Sequence, residues 1–382
     1  MKLIHLSDLH IGKKVNGFSM LEDQQDILFK KILPIIDEEK PDGIIIAGDV
    51  YDKSIPPSEA VGLLDEFLVK LAERNLQVFI ISGNHDSAER LAFGNRLIDK
   101  IGIHISPVYQ KDTAKFTMKD NFGAVNIYML PFIKPVHVRT AFESDENISY
   151  TDAVRMAVSQ MNVNVSERNI LVTHQFVTGA ERSDSEDISI GGSDNVDASV
   201  FDDFDYVALG HLHRPQNVGT NRIRYSGTPL KYSFSEEKDR KSVTVVEMRE
   251  KGILAVREIP LLPLHEMVTL RGTFSELTEK KFYENTSYRE DYTHIILTDE
   301  NDIENALNRL REIYRNIMKL EYDNTRTRHH SRIEDLSLSD VENKSPLDLF
   351  AKLYEEQNGM CMTAEQTEFM QELIKEIWEG NS

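Results

Sequence analysis

Apolar residues in the first two thirds of the chain fall into two alternating kinds of run. Short, nearly continuous stretches cover residues 2–7, Gly43–Ala47, 76–82, 124–130, 169–173 and 205–209. This is the pattern of strands covered on both faces. Between them lie longer segments with apolar residues at helical spacing. Residues 26–39 carry Ile27, Leu28, Ile32, Leu33, Ile35 and Ile36, and residues 58–74, 87–100 and 151–161 read the same way. Pro34 falls inside the first of these and predicts a departure from one straight helix, and Ser58 is the expected N-cap of the second. Strand and helix in alternation predict an α/β core. From residue 222 to 259 the helices drop out and strands such as Ser242–Met248 follow one another, which predicts a mainly antiparallel extension of the sheet. The run Pro260-Leu261-Leu262-Pro263 closes this region. A smaller β/α pattern restarts after it, with strands expected at 266–272 and Tyr292–Leu297 and a helix at 302–318. From Ser345 the chain is helical again. A Thr363–Gln366 capping box opens a last helix whose apolar residues are Phe369, Met370, Leu373, Ile374, Ile377 and Trp378.

Composition bounds what such a chain can be. Its 382 residues, 40% hydrophobic and 28% charged, suffice for two or three packed domains and exclude wholesale disorder. The apolar runs are far shorter than the roughly 20 residues needed to span a bilayer. Cys361 is the single cysteine, so the fold does not depend on a disulfide. The first residues lack the apolar stretch of a signal peptide. The chain reads as cytoplasmic, with no membrane contact. The net charge of −20 argues by itself against nucleic acid as a partner, because phosphate backbones attract basic surfaces. Two facts offset it. Carboxylates that hold divalent cations count as negative but are neutralised in place. The excess is also local, since residues 334–382 hold twelve acids against three lysines. Near them lie Arg309, Arg311, Arg315, Lys319 and the basic stretch 326–332, a candidate phosphate-contacting face.

Five short segments carry the chemistry: Asp8-Leu9-His10, Gly48-Asp49-Val50-Tyr51-Asp52, Gly83-Asn84-His85-Asp86, Thr173-His174 and Gly210-His211-Leu212-His213. Each directly follows an expected strand. In an open α/β sheet the loops after the strand C-termini share one edge, so segments 200 residues apart can meet. Singly they are weak signals, since Asp-x-His and Gly-Asp are ordinary turn chemistry and a lone histidine such as His174 is more often a hydrogen-bonded core residue. A turn, however, has no use for the His that follows Gly-Asn, and Gly-His-x-His puts two imidazoles on one side of an extended segment. Mixed carboxylate, carboxamide and imidazole donors suit Mn²⁺, Fe²⁺ or Zn²⁺ better than Ca²⁺ or Mg²⁺. There are enough of them for two ions, a device suited to phosphate ester hydrolysis.

In this order the segments resemble the calcineurin-like metallophosphoesterase superfamily. The runs Leu6-Ser7-Asp8-Leu9-His10-Ile11-Gly12, Ala47-Gly48-Asp49-Val50-Tyr51-Asp52 and Tyr225-Ser226-Gly227-Thr228-Pro229-Leu230-Lys231-Tyr232-Ser233-Phe234 look like its bacterial repair-nuclease branch. The resemblance implies a two-sheet α/β sandwich metallophosphoesterase core at 1–262, a small α/β capping domain contacting DNA at 263–338, and a helical C-terminal tail at 339–382. Asp8, His10 and His213 would hold one ion, Asn84, His174 and His211 a second, and Asp49 would bridge them. His85 would orient the phosphodiester and assist the leaving group, with Asp86 orienting His85. Archaeal and eukaryotic relatives carry a histidine where this chain has Asp52, so no role is carried over there. The resemblance further implies two Mn²⁺ ions and an exonuclease on double-stranded DNA ends that also cuts single strands and hairpins. The implied assembly is a homodimer bound to an SMC-like ATPase subunit through residues 345–380. Two rivals remain: a metallophosphoesterase of small phosphate substrates or phosphoproteins, and a non-enzymatic scaffold on the same fold. The 119 residues beyond Pro263 speak against the first and the retained donors against the second. The polar loop 178–195 is a candidate substrate-facing or dimer-contact segment.

Overall fold

The near-continuous apolar runs pair with one another. In the computed structural model, which describes residues 1–181, 183, 194–325, 327, 345–358 and 361–379, the strands Lys2–Leu6, Gly43–Ala47, Gln77–Ile81 and Ile103–Ile105 lie parallel and in that order. Ser242–Met248 pairs antiparallel on the other side of Lys2–Leu6, and Leu254–Pro260 completes this six-stranded sheet. The second six-stranded sheet has the order Gln216–Val218, Thr220–Tyr225, Tyr206–Gly210, Arg168–His174, Gly123–Leu130, Ala114–Asp120. Its four central strands are parallel and a hairpin closes each edge.

The two sheets face each other across one core. Leu3, Ile45, Phe79 and Ile81 from the first meet Val125, Ile127, Met129, Ile170, Val172 and Ala208 from the second. Alternate residues of the same strands, Tyr128, Leu130, Leu171, Val207 and Leu209, point outward onto Val154 and Ala157 of the helix Tyr150–Gln160 and onto Phe201. Each buried aliphatic side chain contributes roughly 1.5–3 kcal/mol. A one-residue slip would turn a whole set to the wrong face, so register is firmly fixed. The expected two-sheet α/β sandwich is what the chain forms.

Several local expectations need correction. Pro57, not Ser58, is the N-cap of Ser58–Ala72; the Ser58 hydroxyl instead donates to Glu59. The helix expected over 87–100 is broken into Ala88–Leu91 and Asn95–Ile98 by Gly94, which sits at φ 75°. The segment around Pro34 is helical throughout, but Ile27–Ile32 widens to a π-type turn between Leu21–Asp26 and Leu33–Glu39. A proline lacks the N–H that an α-helical ladder needs, and the wider turn lies just ahead of it.

The chain divides into two compact units, Met1–Met267 and Val268–Ser382. The smaller carries a three-stranded sheet in the order Met267–Gly272, Tyr292–Leu297, Asn316–Tyr322, packed through Leu270, Phe274, Leu277, Ile295, Leu310, Tyr314 and Ile317. The single helix expected over 302–318 is in fact the short Ala306–Arg311 followed by the strand Asn316–Tyr322, where Ile317 and its neighbours complete the sheet. Of the candidate phosphate-contacting side chains, Arg315 pairs with Glu290, Lys319 pairs with Glu321, and Arg309 lies over the Phe274 ring. The stretch 326–332, apart from Thr327, lies outside the described residues, as do most of the loop 178–195 and the expected boundary at 338–339. The tail holds the helices Pro346–Asn358 and Ala364–Glu379. The expected capping box is present, with Thr363 N donating to Gln366 Oε1 at 2.9 Å and Gln366 N to Thr363 Oγ1 at 3.3 Å. No described helix is long and apolar enough to cross a membrane.

Candidate metal centre

The segments singled out in the sequence follow the C-terminal ends of five parallel strands, three in the first sheet and two in the second. Asp8 and His10 come after Lys2–Leu6, Asp49 after Gly43–Ala47, and Asn84 and His85 after Gln77–Ile81. His174 ends Arg168–His174, and His211 and His213 follow Tyr206–Gly210. Because the sheets face each other, these ends converge. His10 Nε2 lies 3.2 Å from His213 Nε2. Asn84 Oδ1 is 3.0 Å from His174 Nε2 and 2.9 Å from His211 Nδ1. Asp49 Oδ2 lies between the groups, 3.3 Å from His174 Nε2 and 3.8 Å from His10 Nε2. Asp8 accepts from the His211 backbone N–H at 2.9 Å. All seven expected donors are brought together.

The backbone is bent to achieve this. Asp8, His10, Asp49 and His211 all adopt positive φ, at 51°, 45°, 46° and 107°. Left-handed backbone at a non-glycine residue costs on the order of 1–3 kcal/mol, and here it clusters on side chains that face one point. Glycine is required beside them. A Cβ on Gly83 would strike the Asp49 side chain and backbone, and one on Gly210 would strike the Ala47 carbonyl. The Gln24 amide donates to the His10 carbonyl at 2.7 Å, and its oxygen accepts from Gly12 N. The Tyr232 hydroxyl donates to the Leu9 carbonyl at 2.7 Å. Together they hold the turn that presents Asp8 and His10.

The donor set fits divalent cations. His174 Nδ1 faces the Ala47 carbonyl at 2.9 Å, which places its proton there and turns the Nε2 lone pair toward Asn84 Oδ1 and Asp49 Oδ2. Three acceptors then meet with no donor among them. Without a metal, a proton must serve: burial pulls the His174 imidazole down, but the Asp49 and Asp8 carboxylates outweigh it and push it up to about 9. Burial, partly offset by His174, pushes the Asp8 carboxyl up to about 6. Asp49 is held well below the usual carboxylate range, its burial outweighed by the imidazoles around it. Burial holds the His10 imidazole well below its ordinary value, and its buried Nδ1 makes no hydrogen bond. Clusters of acceptors, charge repulsion and lone pairs turned inward are what a pair of cations relieves. One ligand atom each from Asp8, Asp49 and His174 lies within 4.8 Å of the others, and His10, Asp52 and His85 form a second such group.

His85 stands beside this cluster, its Nε2 3.9 Å from Asp49 Oδ2. Its backbone N–H donates to Asp49 Oδ1 at 2.9 Å, and its ring Nδ1 lies 3.1 Å from the Asp52 carbonyl. The expectation that Asp86 orients this ring is corrected. The Asp86 carboxylate is taken up by the backbone N–H groups of Gly83, Val50 and Tyr51 at 2.9–3.1 Å. It clamps the Asp49 loop to the Asn84 loop, and the Asp52 carbonyl holds the His85 ring. The Asp52 carboxylate pairs with Lys13 at 2.7 Å, and that ammonium lies 5.6 Å from the centre of the Tyr232 ring. Gln24 and Lys13 belong to no motif in the sequence and were not singled out there.

The calcineurin-like phosphoesterase profile matches residues 1–215. A profile described as the type 5 capsule protein repressor C-terminal domain matches residues 263–358. A protein of Staphylococcus saprophyticus, named as the SbcD component of the nuclease SbcCD, is 33% identical over 389 residues, covering 100% of both chains. Its namesake in Staphylococcus epidermidis is 34% identical over 343 residues, 87% of this chain and 89% of that one.

Proposed function

The chain belongs to the calcineurin-like phosphoesterase family, among its SbcD nucleases, and from that premise we propose a two-metal DNA phosphodiesterase working with an SbcC-like, SMC-type ATPase. It is a metal-dependent phosphodiester hydrolase. The observation that carries the finer reading is the meeting of Asp8, His10, Asp49, Asn84, His174, His211 and His213 at five strand ends. Asp8, His10 and His213 would hold one ion and Asn84, His174 and His211 the other, with Asp49 shared between them. Manganese suits the mixed oxygen and nitrogen donors. Once bound, the ions supply activation of water at neutral pH and neutralisation of phosphate charge.

The chain's own groups do the rest. His85, with Nδ1 on the Asp52 carbonyl, presents Nε2 toward the cluster and can give a proton to the departing sugar oxygen. Asp86 keeps the loops bearing Asp49 and Asn84 in register. The substrates proposed are double-stranded DNA ends, cut as an exonuclease, and single strands and hairpins, cut as an endonuclease, in DNA repair and recombination. We divide the chain into nuclease, capping and docking parts at 1–262, 263–338 and 339–382. A homodimer is part of the reading, and the exposed Phe93, Leu97 and Ile101 supply an apolar surface for it.

The test is hydrolysis by the purified chain with Mn²⁺, comparing a DNA hairpin with a small phosphate monoester. Cleavage of the hairpin, absent in Asp49→Ala, is expected. Turnover of the monoester with intact DNA would replace the nuclease by a small-substrate phosphatase. Failure of the metal-stripped chain to take up two ions would sink the two-metal site itself.

A further inference from the structure

Behind His213 the protein buries a complete ion pair that the reading above leaves unused. Glu236 is 0% exposed and Lys241 4%. Lys241 Nζ lies 2.5 Å from Glu236 Oε2 and also donates to the His213 carbonyl at 2.8 Å. Glu236 Oε1 lies 3.4 Å from His213 Nδ1. The pair therefore grips His213 at both ring and backbone. Glu236 ends the short turn Phe234–Glu236, whose first residues are capped by Ser233, and Lys241 directly precedes the strand Ser242–Met248. Lys241 thus leads into the sheet that also presents Asp8.

Stability alone gives little reason to bury two charges, since an apolar pair of similar volume packs as well or better. A reason lies on the other edge of the same ring. There His213 Nε2 faces His10 Nε2 across 3.2 Å. A carboxylate on Nδ1 fixes the proton at that nitrogen, turns the Nε2 lone pair into the site and makes it a better donor to a metal. His174, by contrast, leans through its Nδ1 on a neutral carbonyl, that of Ala47. Lys241 balances the carboxylate and ties it to the His213 backbone, so that ring and pivot are held together.

We infer that Glu236 and Lys241 are positioning residues that aim His213 at a divalent cation shared with His10 and Asp8. This rests on the two-metal reading, and the measurement separates the two. Metal-stripped chain is titrated with Mn²⁺ by calorimetry and followed by electron paramagnetic resonance. Wild type should take up two ions and show a spin-coupled pair; fewer than two ions would overturn the two-metal reading, whatever the variants do. Glu236→Gln keeps the shape and removes the charge behind the ring. The double variant E236Q/K241M removes both charges, so no buried ammonium is left unpaired. In each, one of the two ions should bind 10–100-fold more weakly. At one equivalent of Mn²⁺ the spectrum should become that of an isolated ion, and the melting temperature of the metal-free chain should stay close to wild type in the double variant. Wild-type affinity for both ions in either folded variant would overturn the inference and leave the pair a purely structural one. Should one variant fail to fold, the other decides by the same criterion.

Discussion

Asp49 accepts the His85 backbone N–H with one carboxylate oxygen and turns the other toward His174 and His10. Asp49→Ala removes the carboxylate that lies between His174 and His10, the group proposed to be shared by both ions, so metal-dependent hydrolysis should fall to background on every substrate. Retained turnover would refute the shared role. His85 differs, because its ring is held through Nδ1 on the Asp52 carbonyl while Nε2 stays 3.9 Å from Asp49 Oδ2. His85→Ala should lower turnover by roughly 10²–10⁴, the usual scale for a proton-transferring group, while two Mn²⁺ equivalents still bind. Loss of metal would make His85 a ligand. At this scale the sequence was informative wherever a motif fixed the side chain and its place after a strand, as for Asp8-Leu9-His10 or Gly210-His211-Leu212-His213. It misled at Asp86, because adjacency to His85 suggested a side-chain contact whereas the carboxylate turns back onto three backbone N–H groups. Glu236 and Gln24 were not legible, since a supporting residue needs only to arrive in space and carries no spacing rule.

At the scale of the element, the strand Lys2–Leu6 joins the core to the site. It pairs on both sides, and its His5 is wholly buried, with Nδ1 2.9 Å from the Tyr206 hydroxyl of the facing sheet. Burial, helped by the Arg224 charge, lowers the His5 imidazole to about 3. The folded chain thus keeps His5 neutral in a range where the unfolded chain, with an ordinary value of 6.5, takes up a proton. The contribution to stability is complete above pH 6.5 and is lost as pH falls from 6.5 toward 3. By about pH 5 that amounts to roughly 2 kcal/mol. His5→Gln, which keeps a hydrogen-bonding side chain, should flatten denaturant-measured stability between about pH 6.5 and 5 relative to wild type. An unchanged slope would assign the acid sensitivity elsewhere. Elements of this kind, long apolar runs with both faces covered, were plain in the sequence. Misreadings fell where helical spacing and alternation coexist. Residues 302–318 contain Leu307, Leu310, Ile313 and Ile317, which satisfy a helical pattern. The pairing of Asn316–Tyr322 with Tyr292–Leu297 wins because it completes a sheet over Phe274 and Leu277. The edge strand Ala114–Asp120 alternates cleanly, with Ala114, Phe116 and Met118 turned to the core, and its signal was present but unused.

For the whole molecule, the question is what the tail adds to a core that is complete without it. The unit Met1–Met267 owns the sandwich core and every candidate ligand. The helices Pro346–Asn358 and Ala364–Glu379 are joined by Gln366 donating to the Tyr354 hydroxyl at 3.0 Å, yet Phe350, Leu353, Phe369 and Leu373 are 37–64% exposed. A pair of amphipathic helices that leaves such residues exposed offers an apolar surface of the kind a partner helix covers, which is the docking role proposed above. The acidic balance of residues 334–382 disfavours DNA as that partner and favours protein. Truncation before Ser345 should therefore leave the melting temperature of the nuclease unit and its ATP-independent cleavage of a hairpin within about twofold of the full chain. The same truncation should abolish co-purification with an SbcC-like ATPase. Phe369→Asp with Leu373→Asp in the full chain should weaken that association without touching hydrolysis, since both side chains lie outside the unit that holds the metal centre. If the truncated chain still captured the ATPase, docking would have to be sought on Met1–Met267 itself. If truncation silenced hydrolysis while association survived, the tail would belong to the nuclease and not to its partner.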